Sequence, residues 1–150
     1  MSAGELFFTD TNLLLYSVDP GDPAKQNAAL LWRDLLWERH AGRLSWQVLH
    51  EFYVNATRKL KIPNRDARSV VEAFELWGPV DTSHGLIQRA WHWMDHTQIA
   101  YWDGLIIAGA ERTSCAWLLS EDFQHGRRFG AVTVVNPFRS SPREFGFAEK

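Results

Sequence analysis

The sequence predicts an α/β fold, with a central, mainly parallel sheet covered by helices on both faces: a three-layer α/β/α arrangement. Short apolar runs alternate with segments of helical period, the pattern of strands joined by crossover helices. The run Leu6-Phe7-Phe8-Thr9 shows no polar alternation, as expected of a strand buried on both faces. Two strand-like runs stop at acids, Asp10 and Glu121-Asp122. Parallel sheets place their sites at such carboxyl ends of strands.

The elements follow in order. After the first strand, Thr11 to Tyr16 reads as a helical turn. Residues 19–23 form a loop, with Asp22 as N-cap and Pro23 at the first helical position. Ala24 to Arg39 is a long helix with Ala28, Leu31, Trp32 and Leu35 on its apolar side. Gly42 ends it, and Arg43-Leu44-Ser45 is a very short strand. Ser45 caps a helix from Trp46 to about Leu60, whose stripe is Val48, Leu49, Phe52, Tyr53 and Ala56. Glu51 lies on the border of that stripe. Pro63 breaks the chain, and Asn64 to Trp77 is helical. Val80-Asp81 is a candidate third strand. Ser83 caps a helix through about His96, and an apolar helix runs from the Tyr101-Trp102-Asp103 segment to near Arg112. Ala116–Ser120 is a strand, Gly126 and Gly130 punctuate a loop, and Val132–Val135 is the last strand. The tail from Pro137 reads as irregular surface.

The chain has 150 residues and reads as one domain over 1–150, with a core of about 6–136. Its 45% hydrophobic and 23% charged residues argue for a packed fold over disorder. A net charge of −2 argues against a protein that coats DNA, yet leaves room for a local basic patch. A lone cysteine, Cys115, permits no internal disulfide and fits a reducing cytoplasm, with a buried structural role. No apolar stretch approaches the roughly 20 residues that span a membrane, and no secretory signal opens the chain. A cytoplasmic, membrane-free protein is expected.

The chemistry rests on four acids that each border an apolar surface: Asp10, Glu51, Asp103 and Asp122. Each has a plainer reading taken alone. Asp10 could cap a turn, Asp103 could cap a helix, Glu51 could be a solvated helix residue, and Asp122 could sit in a turn. Their coincidence points further. A carboxylate among apolar neighbours needs a compensating charge, and clustered carboxylates raise one another's pKa unless a cation is present. Oxygen-only ligands favour Mg²⁺ or Mn²⁺. A few carboxylates around such an ion leave positions for water and phosphate, the arrangement for phosphodiester hydrolysis.

The sequence resembles the PIN-domain nucleases, especially VapC-type ribonuclease toxins of toxin–antitoxin pairs. The resemblance lies in Phe8-Thr9-Asp10-Thr11-Asn12, in residues 45–53 around Glu51, in Tyr101-Trp102-Asp103-Gly104-Leu105-Ile106, and in residues 118–126 around Asp122. It implies a PIN-like α/β/α sandwich, an acidic metal site and metal-dependent cleavage of single-stranded or structured RNA. Carried over by position, Asp10, Glu51, Asp103 and Asp122 match the family's catalytic and metal-binding quartet, and Asn12 and Ser120 match its supporting polar positions. Asp10, Asp103 and Asp122 would hold one or two Mg²⁺ or Mn²⁺ ions, with Glu51 reaching the ion directly or through water. The neighbouring Glu121 leaves two acids competing for the fourth position. The resemblance further implies a homodimer and a cognate antitoxin protein filling a hydrophobic groove. Trp32, Trp37, Trp46 and Trp77 fit either that groove or the core.

Other readings fit less well. Asp10-Thr11-Asn12 lacks the second aspartate of haloacid-dehalogenase-like phosphatases, and residues 136–139 lack a receiver domain's late lysine. His92 and His96 lie one helical turn apart without a third zinc ligand. Basic substrate contacts are expected from Arg58, Lys59, Lys61, Arg65, Arg68 and Arg127-Arg128. A non-cleaving PIN-like module that binds RNA or a protein is the alternative function.

Overall fold

A computed structural model describes residues 4–147. The described residues form one sheet between helices, in the order β1 (Phe7–Thr9), α1 (Thr11–Ser17), α2 (Pro23–Glu38), β2 (Gly42–Arg43), α3 (Trp46–Arg58), α4 (Asn64–Phe74), α5 (His84–Thr97), α6 (Tyr101–Arg112), β3 (Trp117–Leu119), β4 (Arg128–Phe129) and β5 (Val132–Val135). Spatially the strands run β2-β1-β3-β5-β4. All neighbours are parallel except β4 with β5. The expected mainly parallel α/β sheet is therefore present.

Adjacent residues of β1 explain why both faces must be covered, because successive strand side chains point to opposite faces. Phe7 packs against Trp32 of α2 and against Phe145 and Phe147 of the C-terminal segment. Phe8 meets α6 at Gly109, where an added Cβ would lie 3.1 Å from the ring. Both phenylalanines are essentially inaccessible. A strand so enclosed cannot show polar alternation.

The caps read from sequence hold. Asp22 accepts from the Lys25 amide, Ser45 from Val48 and Ser83 from Leu86. The buried side of α2 is Ala29, Trp32, Leu35 and Leu36, one position beyond the expected Ala28. Other features also differ from expectation. Val80-Asp81 reaches only a single parallel bridge, Ser45 to Val80. The Gly126–Gly130 loop contains β4, an antiparallel edge strand turned onto β5 through Gly130 at φ +61. The tail is not simply surface: Phe147 is buried, and Trp32 Nε1 donates to the carbonyls of Pro137 and Ser140. The tail thereby closes the apolar face that Phe7 and Trp32 would otherwise expose. Among the described residues, no helix is long and apolar enough to cross a membrane.

Candidate active site

The site begins where β1 and β3 end side by side. Thr9 pairs with Leu119, so the next residues, Asp10 and Ser120, are neighbours at the carboxyl edge of the sheet. Asp10 is the N-cap of α1, and its Oδ1 accepts the Thr11 amide at 2.7 Å. The plain turn-capping reading is thus correct but incomplete. Its Oδ2 accepts the Ser120 hydroxyl at 2.7 Å, and the residue is only 5% exposed. Burial pushes the Asp10 carboxyl up to about 7; the Ser120 and Thr11 hydrogen bonds oppose this, and the charges of Asp122 and Glu51 add to it.

Asn12, the second residue of α1, reaches across to the second strand end. Its Nδ2 donates to Asp122 Oδ2 at 3.2 Å and to Ser120 Oγ at 3.4 Å. The Asp122 amide donates back to Ser120 Oγ at 3.1 Å. The adjacent acids part here: Glu121 turns away to pair with Lys25 Nζ at 2.7 Å. Asp103 lies in the first turn of α6, a helix that begins before it at Tyr101. Burial, then the charges of Asp122 and Glu51, raise its carboxyl above the usual range.

Glu51 enters from α3 and is held by two residues that the sequence reading assigned no role. Thr11 Oγ1 donates to Glu51 Oε2 at 2.8 Å. Gln47 Nε2 donates to Glu51 Oε1 at 3.0 Å and to the Trp102 carbonyl at 3.2 Å, tying α3 to the start of α6. Gln47 stands four residues before Glu51, hence on the same helical face, which is the signal that could have found it.

The four carboxylates share one electrostatic neighbourhood, since Asp122 and Glu51 act on both Asp10 and Asp103. Among the described residues, no three His, Cys, Asp or Glu side chains converge into a ready-made metal-binding group. An open, all-oxygen set of this kind fits a hard cation held partly by carboxylates and partly through waters, the habit of Mg²⁺. A buried Asp10 with a raised carboxyl is the feature such a charge would relieve.

The remaining candidates divide. His125 Nδ1 accepts the Asn136 amide at 2.9 Å and closes its loop. Arg127 donates to the Thr97 carbonyl and lies over the Phe129 ring, so it is engaged in packing. Arg58, Lys59, Lys61, Arg65 and Arg68 are exposed around the α3–α4 junction, and Lys59 lines a cleft with Asn12 and Glu121. Trp32 belongs to the core, and Trp37 and Trp77 border a cleft with Gly42 and Thr113, at the opposite edge of the sheet. Only Trp46 of that group stands near the acids, in a cleft that includes Glu51. His92 and His96 stack on one another with centroids 4.1 Å apart. Cys115 is buried and its thiol is pushed up to about 11, which suits a structural role.

No protein-family model and no curated protein matches this chain. Among solved structures it is similar to the crystal structure of Mycobacterium tuberculosis VapC20, a sarcin–ricin loop cleaving toxin. The likeness covers 96% of this chain and 98% of that one, with a TM-score of 0.58 and 18% sequence identity. The chain has the PIN-like fold. In the PIN-like fold seen here, the strand ends that carry Asp10 and Asp122 are adjacent, and helices α3 and α6 bring Glu51 and Asp103 toward them.

Proposed function

We propose that the chain is an Mg²⁺- or Mn²⁺-dependent endoribonuclease that hydrolyses phosphodiester bonds of single-stranded or structured RNA, as the toxin of a toxin–antitoxin pair. The observation that carries this is Asp10: a buried carboxylate at a parallel strand end, bonded to Ser120 and within the field of other acids. The likeness in fold to an RNA-cleaving toxin adds to it.

In this reading Asp10, Asp103 and Asp122 hold the cation, with Glu51 directly or through water. When bound, the ion supplies the positive charge that polarises a phosphate and lowers the pKa of water. The chain's own residues do the rest. Ser120 and the Thr11 amide fix both oxygens of Asp10. Asn12 orients Asp122, and Thr11 with Gln47 orients Glu51, which in this reading would align the attacking water. In-line attack by water leaves a 5′-phosphate and a 3′-hydroxyl.

A cognate antitoxin protein and a homodimer are part of the same proposal, in the cytoplasm, where RNA and a reduced Cys115 coexist. The apolar groove between α3 and α4, with Leu49, Tyr53, Val54 and Val71 on its walls, suits a partner segment. Identification of any small protein that co-purifies with the chain, and sedimentation of the isolated chain, test these two points.

The deciding experiment is RNA cleavage with Mg²⁺ or Mn²⁺, with and without EDTA, comparing wild type with Asp10→Asn. Cutting should require the metal and vanish in the variant. RNA binding without metal-dependent cutting would make the chain a non-cleaving module instead.

A further inference from the structure

A cleft of about 700 Å³ opens beside Glu51. That volume falls in the range of roughly 300–1,000 Å³ usual for small-ligand sites and exceeds what a single side chain fills. Its walls bring Trp46 from α3 and Trp102 from α6 to one space, with Gln47, Asp81 and Thr82 as polar edges. Trp102 is 64% exposed although it stands in the first turn of α6, next to Asp103. Gln47 donates to its backbone carbonyl, which ties this turn of α6 to α3. Asp81 is exposed and, among the described residues, makes no hydrogen bond or ion pair.

The charge of the lining narrows the occupant. Glu51 and Asp81 are acids, His50 is the one imidazole, and no Lys or Arg is among the described residues that line the cleft. A phosphate or an acidic peptide is repelled there. A flat, uncharged base is not, and indole faces stack on bases of any sequence. The carboxylate at the rim adds discrimination. Guanine presents N1–H and N2–H side by side, two donors matched to two carboxylate oxygens. Uracil presents one N–H between two carbonyls, which a carboxylate repels.

We propose that this cleft is a subsite for one unstacked RNA base, guanine by preference, stacked on Trp102 and read at its Watson–Crick edge by Asp81. The inference rests on the ribonuclease reading, since the base would enter as a neighbour of the phosphate held at the four acids. It gives the site a means of choosing among RNA positions.

The test is the binding of short fluorescent RNAs to the full chain in Ca²⁺, followed by anisotropy: a run of uridines against the same run carrying one guanosine. Wild type should prefer the guanosine RNA. Trp102→Ala should weaken that binding about 10-fold, with Trp102→Phe retaining most of it. Asp81→Asn should remove the preference while keeping uridine binding. Both side chains are exposed, and circular dichroism checks that the variants fold. Equal binding of the two RNAs by wild type, an unaffected Trp102→Ala, or no RNA binding overturns the proposal. Trp102-dependent binding of an arginine-rich peptide in place of RNA overturns it in favour of a protein-docking site. Cleavage of the same RNAs in Mn²⁺ separates the two levels. Trp102-dependent binding without cutting removes the nuclease reading and leaves the subsite; cutting that ignores Trp102 and Asp81 does the reverse.

Discussion

Ser120 Oγ donates to Asp10 Oδ2 at 2.7 Å, joining residues 110 positions apart in the chain. The parallel register of Thr9 with Leu119 makes this contact follow directly from strand pairing. The bond favours the charged carboxylate and works against burial. Ser120→Ala should therefore raise the Asp10 carboxyl further. Hydrogen bonds to charged groups contribute about 1.5–3 kcal/mol, so the acid limb of the metal-dependent cleavage profile should move up by roughly one to two pH units. A pH profile of kcat/KM for the variant checks this; an unmoved limb would assign that ionisation to another group.

The same carboxyl links stability to pH. In the folded, metal-free chain it titrates near 7, against 3.8 for an unperturbed aspartate. Between those values the folded chain keeps a proton that the unfolded chain has released. The resulting stabilisation is present in full below 3.8 and is lost as pH rises through 7, a change of about 4 kcal/mol. In EDTA, the melting temperature should fall between pH 5 and pH 8, and Asp10→Asn should flatten most of that fall. Mn²⁺ should restore more stability at pH 8 than at pH 5. Thermal melts of both proteins across this range test the link, and a metal effect that is equal at the two pH values would break it.

Much of this site was legible in the sequence because its chemistry sits at element boundaries. Asp10 directly follows an apolar strand, Ser45 caps the helix that carries Glu51, and Asp103 lies in the first turn of an apolar helix. Other features depend on tertiary neighbours. The choice between Glu121 and Asp122 is made by Lys25 and Asn12, residues about 100 positions away. The burial of the tail depends on the exposed flank that Phe7 and Trp32 leave. Two-residue strand β4 exists only because β5 offers an edge, so no local periodicity announces it.

The parting of Glu121 and Asp122 has a direct consequence. Glu121 is paired with Lys25 at 2.7 Å, whereas Asp122 is held by Asn12 and acts electrostatically on Asp10 and Asp103. Asp122→Asn should reduce RNA cutting by about 100-fold or more, the scale of losing one charged or polar group aimed at a reaction centre. Glu121→Gln should change cutting little and cost at most about 1 kcal/mol of stability, as expected of a partly exposed ion pair. Parallel cleavage assays and urea unfolding of the two variants decide it. A larger loss of activity in Glu121→Gln would reverse the assignment.

Gly104 connects packing to the position of Asp103. A Cβ there would lie 2.8 Å from the Ala90 carbonyl oxygen and 3.3 Å from the Ala90 Cα, so α6 rests on α5 through a missing side chain. Those atoms belong to the α5 backbone and cannot rotate aside. Gly104→Ala should cost about 1–3 kcal/mol in overpacking, offset by about 1 kcal/mol of helix propensity. The net loss should lower the melting temperature by about 3 °C. Relief of the clash moves α6 away from α5 and carries Asp103, the preceding residue, out of register with Glu51 and Asp122. Metal-dependent cutting should then fall more than stability does. Melting and cleavage measured on one preparation separate the effects: a lower melting temperature with full activity would mean that Asp103 tolerates displacement, and its role in holding the cation would be lost.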